Sequence, residues 1–391
     1  MTDAPAPNVL NKRLTDPLAL YIHWPFCVSK CPYCDFNSHV RDHVDQAAWA
    51  TALLTDLAYE ASLTRGRTLG SIFFGGGTPS LMPPATVAAL IDAAATHWSI
   101  ADDCEVTLEA NPSSVEAARF ADLARSGINR SSIGLQALDN DALRFLGRAH
   151  DVDEGLAALD TAQAHFARVS IDLIYARPFQ SPDAWADELD HALRLGTDHL
   201  SLYQLTIEPG TRFATLVEQR KLLPLDNDTA ANLFDATRAT MAARGLPAYE
   251  ISNHARSGAQ SRHNLAYWRC SDYVGVGPGA HGRRGAIATI RHKKPENWIA
   301  AITRNGHGAQ TETPLSGKEQ ATEALLMGLR LNEGVDLAHI RMTTGVAKPV
   351  DNAAIRRLSQ HGLLTLDRDR LIVSERGMIV LDSILAEIVA G

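Results

Sequence analysis

Three cysteines within eight residues constrain this chain more than any other feature of its sequence. Cys27, Cys31 and Cys34 have the spacing C-x3-C-x2-C, in a stretch rich in aromatic residues. Three thiolates on one short loop can bind three irons of a [4Fe-4S] cluster and leave the fourth iron with an open coordination position. Reactive metal sites keep such an open position, whereas structural sites are closed. The spacing therefore predicts an iron–sulfur cluster that accepts a further ligand.

A zinc site is the alternative that the cysteines leave open. Zinc usually has four nitrogen or sulfur ligands, and C-x2-C is a common half-site. His23 or His39 could provide the fourth ligand. A disulfide framework is disfavoured, because three of the five cysteines are clustered, which suits a reducing compartment. We expect Cys104 and Cys270 to be small core residues.

Length and charge limit the remaining function classes. A chain of 391 residues with 45% apolar content is long enough for two globular domains. The net charge of −8 argues against nucleic acid as a partner, because nucleic-acid-binding surfaces are basic. There is no apolar run long enough to span a bilayer, so any membrane contact would be transient. We expect a cytoplasmic protein in which residues 1–17 are a flexible segment.

Short apolar stretches alternate with helical patterns through the first half of the chain. We expect six strands, at residues 18–23, 71–74, 105–109, 130–135, 168–175 and 199–205. This alternation predicts a parallel sheet covered by helices, with too few units for an eight-fold barrel. The cysteines, a Gly-Gly-Gly-Thr stretch and several polar residues lie at or near strand ends, and ligands bind at the carboxyl edge of such sheets.

The pattern changes after residue 206. The glycine-rich residues 275–282 lack the lysine of a phosphate-binding loop, and we interpret them as a tight surface turn near the cofactor. From residue 311 onward we expect a separate α+β domain, with helices at 319–331, 352–361 and 375–389 around a hairpin at 363–374. Helices with a hairpin resemble a winged helix, but acidic and basic side chains nearly balance there, which disfavours DNA binding.

Taken together, the motifs resemble the oxygen-independent coproporphyrinogen III oxidase-like family of radical S-adenosylmethionine (SAM) proteins. The resemblance runs from residue 18 through the C-terminal domain, and its motifs are Y-x-H-x-P-F-C-x3-C-x2-C-D-F, F-F-G-G-G-T-P-S, L-E-A-N-P, I-G-L-Q, L-G-R-x-H, S-I-D-L-I-Y and L-Y-Q-L-T-I-E-P-G-T. It implies an α/β fold: a partial (β/α)6 TIM-type barrel at residues 18–310, followed by a small α+β winged-helix-like domain at 311–391.

The resemblance also implies roles for individual residues. Those that would bind the [4Fe-4S] cluster are Cys27, Cys31 and Cys34. Those that would contact S-adenosylmethionine are Tyr21, Gly76, Gly77, Thr78 and Glu109. Those that match contacts to a second S-adenosylmethionine in the oxidase are Gln136, Arg148 and Asp172. Without the resemblance, a tight turn explains the glycines, and capping or ion pairs explain the polar residues.

Two branches of this family differ directly after the third cysteine. The oxidases carry a further cysteine, C-x3-C-x2-C-x-C, whereas this chain has Asp35 and Phe36. The form C-D-F-N resembles the heme-chaperone branch, which also carries an H-N-x-x-Y-W motif associated with heme binding. Residues 263–268 match that motif. The resemblance therefore implies a carrier that binds heme and passes it to recipient hemoproteins, such as heme-dependent respiratory enzymes, with a flavodoxin or ferredoxin as electron donor.

Within the second motif, His263 is a candidate ligand of heme iron, and Tyr267 and Trp268 offer flat faces to a porphyrin. Considered alone, His263 is better explained as a core histidine beside packed aromatic rings. The sequence leaves open whether the chain is a carrier or an enzyme. The alternatives are oxidative decarboxylation of coproporphyrinogen III in porphyrin biosynthesis, or a radical reaction on another substrate.

Overall fold

The computed structural model describes residues 17–389, so the expected flexible segment falls almost wholly outside the described residues. The first part of the chain forms, in order, β1 (Leu18–Trp24), β2 (Phe26–Cys27), β3 (His39–Val40), α1 (Gln46–Leu63), β4 (Thr68–Gly76), α2 (Pro84–His97), β5 (Ser99–Ala110), α3 (Ser114–Ala117), α4 (Phe120–Arg125), β6 (Arg130–Gln136), α5 (Asn140–Phe145), α6 (Val152–His165), β7 (Arg168–Tyr175), α7 (Pro182–Arg194) and β8 (His199–Gln204).

The remainder forms α8 (Arg212–Glu218), α9 (Asn227–Ala243), β9 (Asn253–Ala255), α10 (Arg262–Trp268), β10 (Tyr273–Val276), β11 (His281–Arg284), β12 (Ile287–Arg291), α11 (Pro295–Asn305), β13 (Ala309–Pro314), α12 (Gly317–Gly328), β14 (Val335–Asp336), α13 (Leu337–Thr344), α14 (Asn352–Gln360), β15 (Leu364–Asp367), β16 (Arg370–Val373), α15 (Glu375–Met378) and α16 (Leu381–Ile388). Among the described residues, no helix is long and apolar enough to cross a membrane.

The expected parallel sheet is confirmed. The strands β1, β4, β5, β6, β7 and β8 lie side by side in that order, and each neighbouring pair is parallel. A seventh parallel strand, β10, pairs with the free side of β1. The glycine-rich stretch thus begins as a buried strand and continues into the expected turn at residues 277–279, which is largely buried and does not lie at the surface. A Cβ on Gly275 would lie 2.0 Å from the His281 carbonyl oxygen, which explains why a strand at this position carries glycine.

Alternate residues of each strand face opposite sides of the sheet. On β1, Leu20 and Ile22 are fully buried in the main hydrophobic core, against the surrounding helices. The residues that alternate with them, Tyr21 and His23, belong to the other face, as does Glu109 of β5. The core therefore lies between sheet and helices, and the inner face of the partial barrel is left to polar and aromatic side chains.

A buried ionic network joins α1 to the strands beyond β10. The Asp56 carboxylate of α1 accepts hydrogen bonds from the backbone N–H groups of Gly277, at 3.1 Å, and Gly308, at 2.9 Å. The Arg291 guanidinium contacts Asp56 at 3.2 Å and Glu60 at 2.6 Å, and all three side chains are fully buried. Because the charges are paired and Asp56 accepts both backbone hydrogen bonds, the network fixes the turn after β10 relative to the barrel.

The C-terminal unit has its own core. Leu325, Leu371 and Ile384 belong to a hydrophobic cluster separate from that of the barrel, around the short sheet β14–β16–β15. The hairpin is confirmed. The helix expected at residues 375–389 is instead divided into α15 and α16 around Ile379 and Val380, whose branched Cβ atoms disfavour helix. The helix α13 has no counterpart in the expectation.

The buried ion pair leads to a stability prediction. We expect Arg291→Met to destabilise the fold by about 3–5 kcal/mol, because it leaves the Asp56 carboxylate buried without its cation. Urea denaturation measures this change. The control is Arg41→Met, whose pair with Glu296 is exposed and whose loss should cost no more than ~1 kcal/mol. An equal decrease in the free energy of unfolding for the two variants would contradict the assigned role of the network.

Candidate functional site

The cysteine loop begins where β1 ends and is fastened to the glycine turn after β4. The Gly77 N–H donates to the Trp24 carbonyl at 2.7 Å, and the Thr78 N–H donates to the Phe26 carbonyl at 2.9 Å. A Cβ on Gly77 would lie 2.8 Å from that same Phe26 oxygen, so only glycine allows the two backbones to approach this closely. The glycine turn thus positions the residue before the first cysteine.

The far end of the loop is held by Asn37. Its Nδ2 donates to the carbonyls of Pro278 and Lys293, both at 2.9 Å, beyond β10 and β12. Its own carbonyl lies 2.9 Å from His23 Nε2, so that nitrogen must carry the proton. His23 Nδ1 then accepts from the Tyr21 hydroxyl at 2.9 Å. Tyr21 is therefore connected to the loop through His23.

The three cysteines are free, partly exposed and electrostatically coupled. Burial raises the pKa of the Cys27 and Cys34 thiols, and the neighbouring Cys31 raises both further. The Thr78 hydroxyl lies 3.3 Å from Cys27 Sγ, and an Arg148 guanidinium nitrogen lies 3.4 Å from Cys31 Sγ. Donors placed against sulfur stabilise thiolates, which are the form that binds iron.

The arrangement fits a cluster better than a single ion. Within residues 17–389, there is no group of three or more His, Cys, Asp or Glu side chains that could hold one metal ion. Both ring nitrogens of His23, a candidate zinc ligand from the sequence, are already hydrogen-bonded, and His39 Nε2 lies 3.3 Å from Asn37 Oδ1. A cubane cluster is larger than one ion and takes its sulfur ligands at separate corners. Three thiols with two nearby donors suit it.

Two carboxylates lie on the inner face of the barrel near the glycine turn. Glu109 Oε2 accepts a hydrogen bond from the Gly76 N–H at 3.1 Å. Burial, followed by the nearby charge of Asp172, raises the pKa of Glu109 to about 8. Burial also raises the pKa of Asp172, although the Ser132 hydroxyl donates to it at 3.0 Å. A cationic ligand here would offset the cost of ionising both acids.

Sequence reasoning did not identify Asn111 as a residue of the site. Its Nδ2 donates to the Thr78 hydroxyl at 3.2 Å, and its Oδ1 accepts from Arg148. A continuous chain therefore runs from Cys31 through Arg148, Asn111 and Thr78 to Cys27. The sequence feature that could have identified Asn111 is its place in the L-E-A-N-P motif at the end of β5. Arg148 thus contacts the cysteine loop directly.

Gln136 ends β6 in an unusual backbone conformation. Its φ is +68°, which is uncommon for a residue other than glycine and carries a strain cost. Its amide would lie 2.7 Å from a Cβ on Gly134, and the Gly134 carbonyl accepts from Arg148 at 3.2 Å. The structure therefore groups Gln136 with Arg148 at the carboxyl end of β6.

The helix α10, which carries the H-N-x-x-Y-W motif, lies at the opposite end of the barrel. Glu105, near the middle of β5, accepts from the Arg262 N–H at 2.8 Å. The same carboxylate pairs with Arg130, the first residue of β6, at 3.2 Å, and with Arg168, the first residue of β7, at 3.0 Å. The start of α10 is thus fixed at the amino-terminal edge of the sheet, away from the cysteine loop.

The three motif residues lie in different surroundings. His263 is only 7% exposed, stacks on Phe73 with ring centroids 4.8 Å apart, and has a pKa lowered to about 3 by burial. Tyr267 is 36% exposed and packs against Tyr273. Trp268 lies under the Arg330 guanidinium of the C-terminal unit, at 5.8 Å. The structure therefore does not combine the three into one flat exposed surface.

Comparison with known proteins places this geometry in a family. Residues 21–192 match the radical SAM superfamily, and residues 315–380 match the HemN C-terminal domain. Heme chaperone HemW of Escherichia coli K12 is 36% identical to this chain, over 94% of the chain and 97% of the relative. The chain belongs to the HemW family of radical SAM proteins.

A further relative and a more distant structure agree with this placement. The mitochondrial radical S-adenosyl methionine domain-containing protein 1 of Bos taurus is 41% identical, over 95% of this chain and 87% of the relative. The solved structure of coproporphyrinogen III oxidase (HemN) from Escherichia coli, a radical SAM enzyme, superposes with a TM-score of 0.80 at 23% identity, over 97% of this chain and 91% of that one. At that identity the likeness establishes the fold alone.

The thiol cluster leads to a prediction on iron content. Protein reconstituted without oxygen should hold about four irons per chain, and Cys27→Ser, Cys31→Ser or Cys34→Ser should each lose the cluster. Iron analysis and the visible absorbance of the cluster measure this. Cys104→Ser and Cys270→Ser serve as controls that retain iron. One tetrahedral zinc per chain without iron uptake would contradict the cluster assignment.

Burial of Glu109 leads to a pH prediction. The pKa of Glu109 is about 8 in the folded protein, whereas its ordinary pKa is 4.5. Between these two pH values the folded state therefore binds one proton more than the unfolded state. The free energy of unfolding should fall as the pH rises through this interval. Glu109→Gln cannot ionise. Its melting temperature relative to wild type should therefore increase across that interval, in the absence of added S-adenosylmethionine.

The matched control is Glu218→Gln, which removes one carboxylate at the exposed end of α8. Thermal denaturation of cluster-loaded protein at several pH values compares the variants. A pH-independent difference between Glu109→Gln and wild type would show that Glu109 is ionised in the folded protein at neutral pH.

Proposed function

We propose that this protein is a heme chaperone that holds a [4Fe-4S] cluster and S-adenosylmethionine, binds heme, and passes it to recipient hemoproteins of respiration. The main support is the similarity to HemW of Escherichia coli over nearly the full length of both chains. The cysteine loop supports the same reading. The residue after Asp35, where the oxidases have a further cysteine, is Phe36, whose side chain is 57% exposed and offers no thiol.

The proposal assigns the inner face of the barrel to S-adenosylmethionine. The glycine turn, with Gly76, Gly77 and Thr78, would receive its amino acid end beside the cysteines, and Glu109 and Tyr21 face the same space. When bound beside the cluster, S-adenosylmethionine would supply one-electron radical chemistry. A flavodoxin or ferredoxin is the proposed electron donor.

The residues that match a second S-adenosylmethionine site have other partners here. Arg148 contacts Cys31 and Asn111, and Asp172 accepts from Ser132. We propose that Arg148 stabilises the negative charge of the cysteine thiolates. Gln136 and Asp172 stay candidates for a second ligand, because both lie on the inner face near the carboxyl edge of the sheet.

The proposed heme site is around α10, through His263, Tyr267 and Trp268. Its support is the match to the heme-associated motif and the presence of aromatic rings on this helix. We propose a cytoplasmic location, which suits free thiols, and at most transient contact with the membrane where respiratory recipients reside. No nucleic-acid partner is proposed.

Parallel assays on one anaerobic preparation test the function. We expect the protein to bind hemin in an approximately equimolar amount and to transfer it to an apo-hemoprotein. With coproporphyrinogen III, reductant and S-adenosylmethionine, it should form no protoporphyrinogen above a control lacking protein. Both assays are necessary, because the fold is shared with the oxidase.

Two outcomes would contradict the proposal. Turnover of coproporphyrinogen III that depends on Cys31 would identify an oxidase. Failure of cluster-loaded protein to bind hemin would exclude a heme carrier. In both cases the preparation is validated by its iron content.

A further inference from the structure

A cavity of about 150 Å³ lies at the amino-terminal edge of the sheet. The first residues of three neighbouring parallel strands line it: Arg130 of β6, Arg168 of β7 and His199 of β8. Thr197, just before β8, and Ala259, just before α10, also line it. The cysteine loop lies at the opposite edge of the sheet, so the cofactor site assigned above does not use this cavity.

The walls of the cavity carry more positive than negative charge. The guanidinium groups of Arg130 and Arg168 share the carboxylate of Glu105, at 3.2 Å and 3.0 Å. The Arg130 side chain is almost fully buried, whereas that of Arg168 is 32% exposed. The Asp198 carboxylate at the rim pairs instead with Arg256, at 2.9 Å. Because two guanidinium groups share one carboxylate, one positive charge at the cavity is left without an anion.

The pKa values of the groups at the cavity are shifted in the direction that this positive charge predicts. Burial, followed by the charge of Arg130, lowers the pKa of Arg168. The same two causes lower the pKa of His199 well below its usual range, so its imidazole is neutral. An environment that disfavours further cations favours an anion.

Two buried polar atoms on residues of the cavity wall lack a hydrogen-bond partner. They are the Thr197 hydroxyl and His199 Nδ1, on residues that are 8% and 3% exposed, and neither atom has a partner within residues 17–389. A buried polar atom without a partner costs free energy, and most such atoms in proteins are satisfied. Both atoms therefore indicate a polar occupant of the cavity.

The two arginines also hold the segment that leads into α10. Arg130 Nη1 donates to the Ala259 carbonyl at 3.2 Å. Arg168 Nη2 lies 3.4 Å from the carbonyl oxygens of both Gly258 and Gln260. The N-cap residue of α10 follows directly. A ligand that fixes these guanidinium groups would therefore also stabilise the start of α10.

We propose that this cavity binds a tetrahedral oxyanion of the size of phosphate, and that the bound anion stabilises the segment before α10. The ligand is inorganic phosphate, or the phosphoryl group of a small molecule that extends through the rim. Its oxygens accept hydrogen bonds from the two guanidinium groups and from the Thr197 hydroxyl. The site is separate from the cluster, S-adenosylmethionine and heme, so the proposed function does not depend on it.

The size and chemistry of the cavity favour such an anion over water or a simple carboxylate. A water molecule occupies about 30 Å³ in the liquid, so one water would leave most of the cavity empty. Water would also leave the guanidinium charge uncompensated, whereas oxyanions bind guanidinium through charge-assisted hydrogen bonds. Protonated phosphate has, in addition, a hydroxyl that can donate to an imidazole nitrogen such as His199 Nδ1.

Three variants of the full-length, cluster-loaded protein locate the site. Arg168→Gln removes one guanidinium group, and Thr197→Val removes a hydroxyl that has no partner within the described residues. The matched control is Arg194→Gln, which removes the same charge from a pair with Asp190 that is exposed on α7. Iron content and melting temperature without phosphate check that each variant is folded.

Phosphate is titrated into each protein by isothermal titration calorimetry at constant ionic strength, because salt screens charge interactions. Sulfate, acetate and methyl phosphate are titrated in parallel. Hydrogen exchange of residues 258–268 is measured with and without phosphate. Methyl phosphate distinguishes the two sources of the ligand: affinity equal to that of phosphate indicates the phosphoryl group of a larger molecule, and weaker binding indicates the free ion.

We expect wild type and Arg194→Gln to bind phosphate with equal affinity. Arg168→Gln and Thr197→Val should each bind it at least about tenfold more weakly, because each loses a hydrogen bond to a charged group. Acetate should bind more weakly than phosphate. Phosphate should slow hydrogen exchange at residues 258–268 in wild type but not in Arg168→Gln. Without phosphate, Thr197→Val should be no less stable than wild type, because its hydroxyl has no partner.

Four results would overturn the inference. If wild type binds neither phosphate nor sulfate at millimolar concentration, the cavity holds only water. Equal phosphate affinity of wild type and the two cavity variants would place the bound anion elsewhere, and Thr197→Val decides this alone if Arg168→Gln does not fold. Tighter binding of acetate than of phosphate would contradict the ligand class. Phosphate binding without slower exchange at residues 258–268 would exclude the link to α10.

Discussion

The buried carboxylate of Asp56 is the interaction on which the rest of the architecture depends. It lies in α1, yet it satisfies backbone N–H groups at Gly277 and Gly308, far along the chain. Because an unpaired charge at this depth would be costly, α1, the turn after β10 and β12 must come together in one arrangement. That arrangement brings the Pro278 carbonyl to Asn37, and the cysteine loop is thereby held at its far end.

The cysteine loop is thus determined by contacts outside itself. Its near end is fixed by the glycine turn after β4, and its middle by Phe213, whose N–H donates to the Pro32 carbonyl at 3.0 Å. The hydrogen bonds from Thr78 and Arg148 reach two of the three sulfurs. A loop held at several points keeps its thiols in position before iron arrives, which lowers the entropy cost of assembling a cluster.

Much of the barrel could be predicted from the sequence, since six apolar strands alternate with helices and each strand is buried against them. The strand β10 could not, because its glycine, Gly275, is required by the close approach of the His281 backbone, which only the folded chain reveals. For α13, the signals were present in Asp336 as N-cap and in Gly345 with a φ of +73°, but a short helix has weak periodicity.

The residues of the candidate site likewise fall into those that the sequence could predict and those that it could not. Cysteine spacing and strand-end position were sufficient to select the cluster residues, Glu109 and the glycine turn. Asn111 was missed because its role depends on two partners from other parts of the chain: Thr78, after β4, and Arg148, between α5 and α6. The surroundings of His263 could likewise not be predicted, because Phe73 and Tyr21 come to it from the distant strands β4 and β1. The neighbouring Ser71 is 192 residues away in the sequence.

The position of α10 at the amino-terminal edge has an evolutionary meaning. In α/β barrels this edge is ordinarily the one that maintains stability, while new chemistry arises from loops at the other edge. Here Glu105 joins the first residues of β6 and β7 to the start of α10, so the stabilising edge already carries a helix with chemically versatile side chains. Such a chain can acquire or exchange a cargo at one edge by altering a single helix, while selection on the cofactor loop at the other edge proceeds independently.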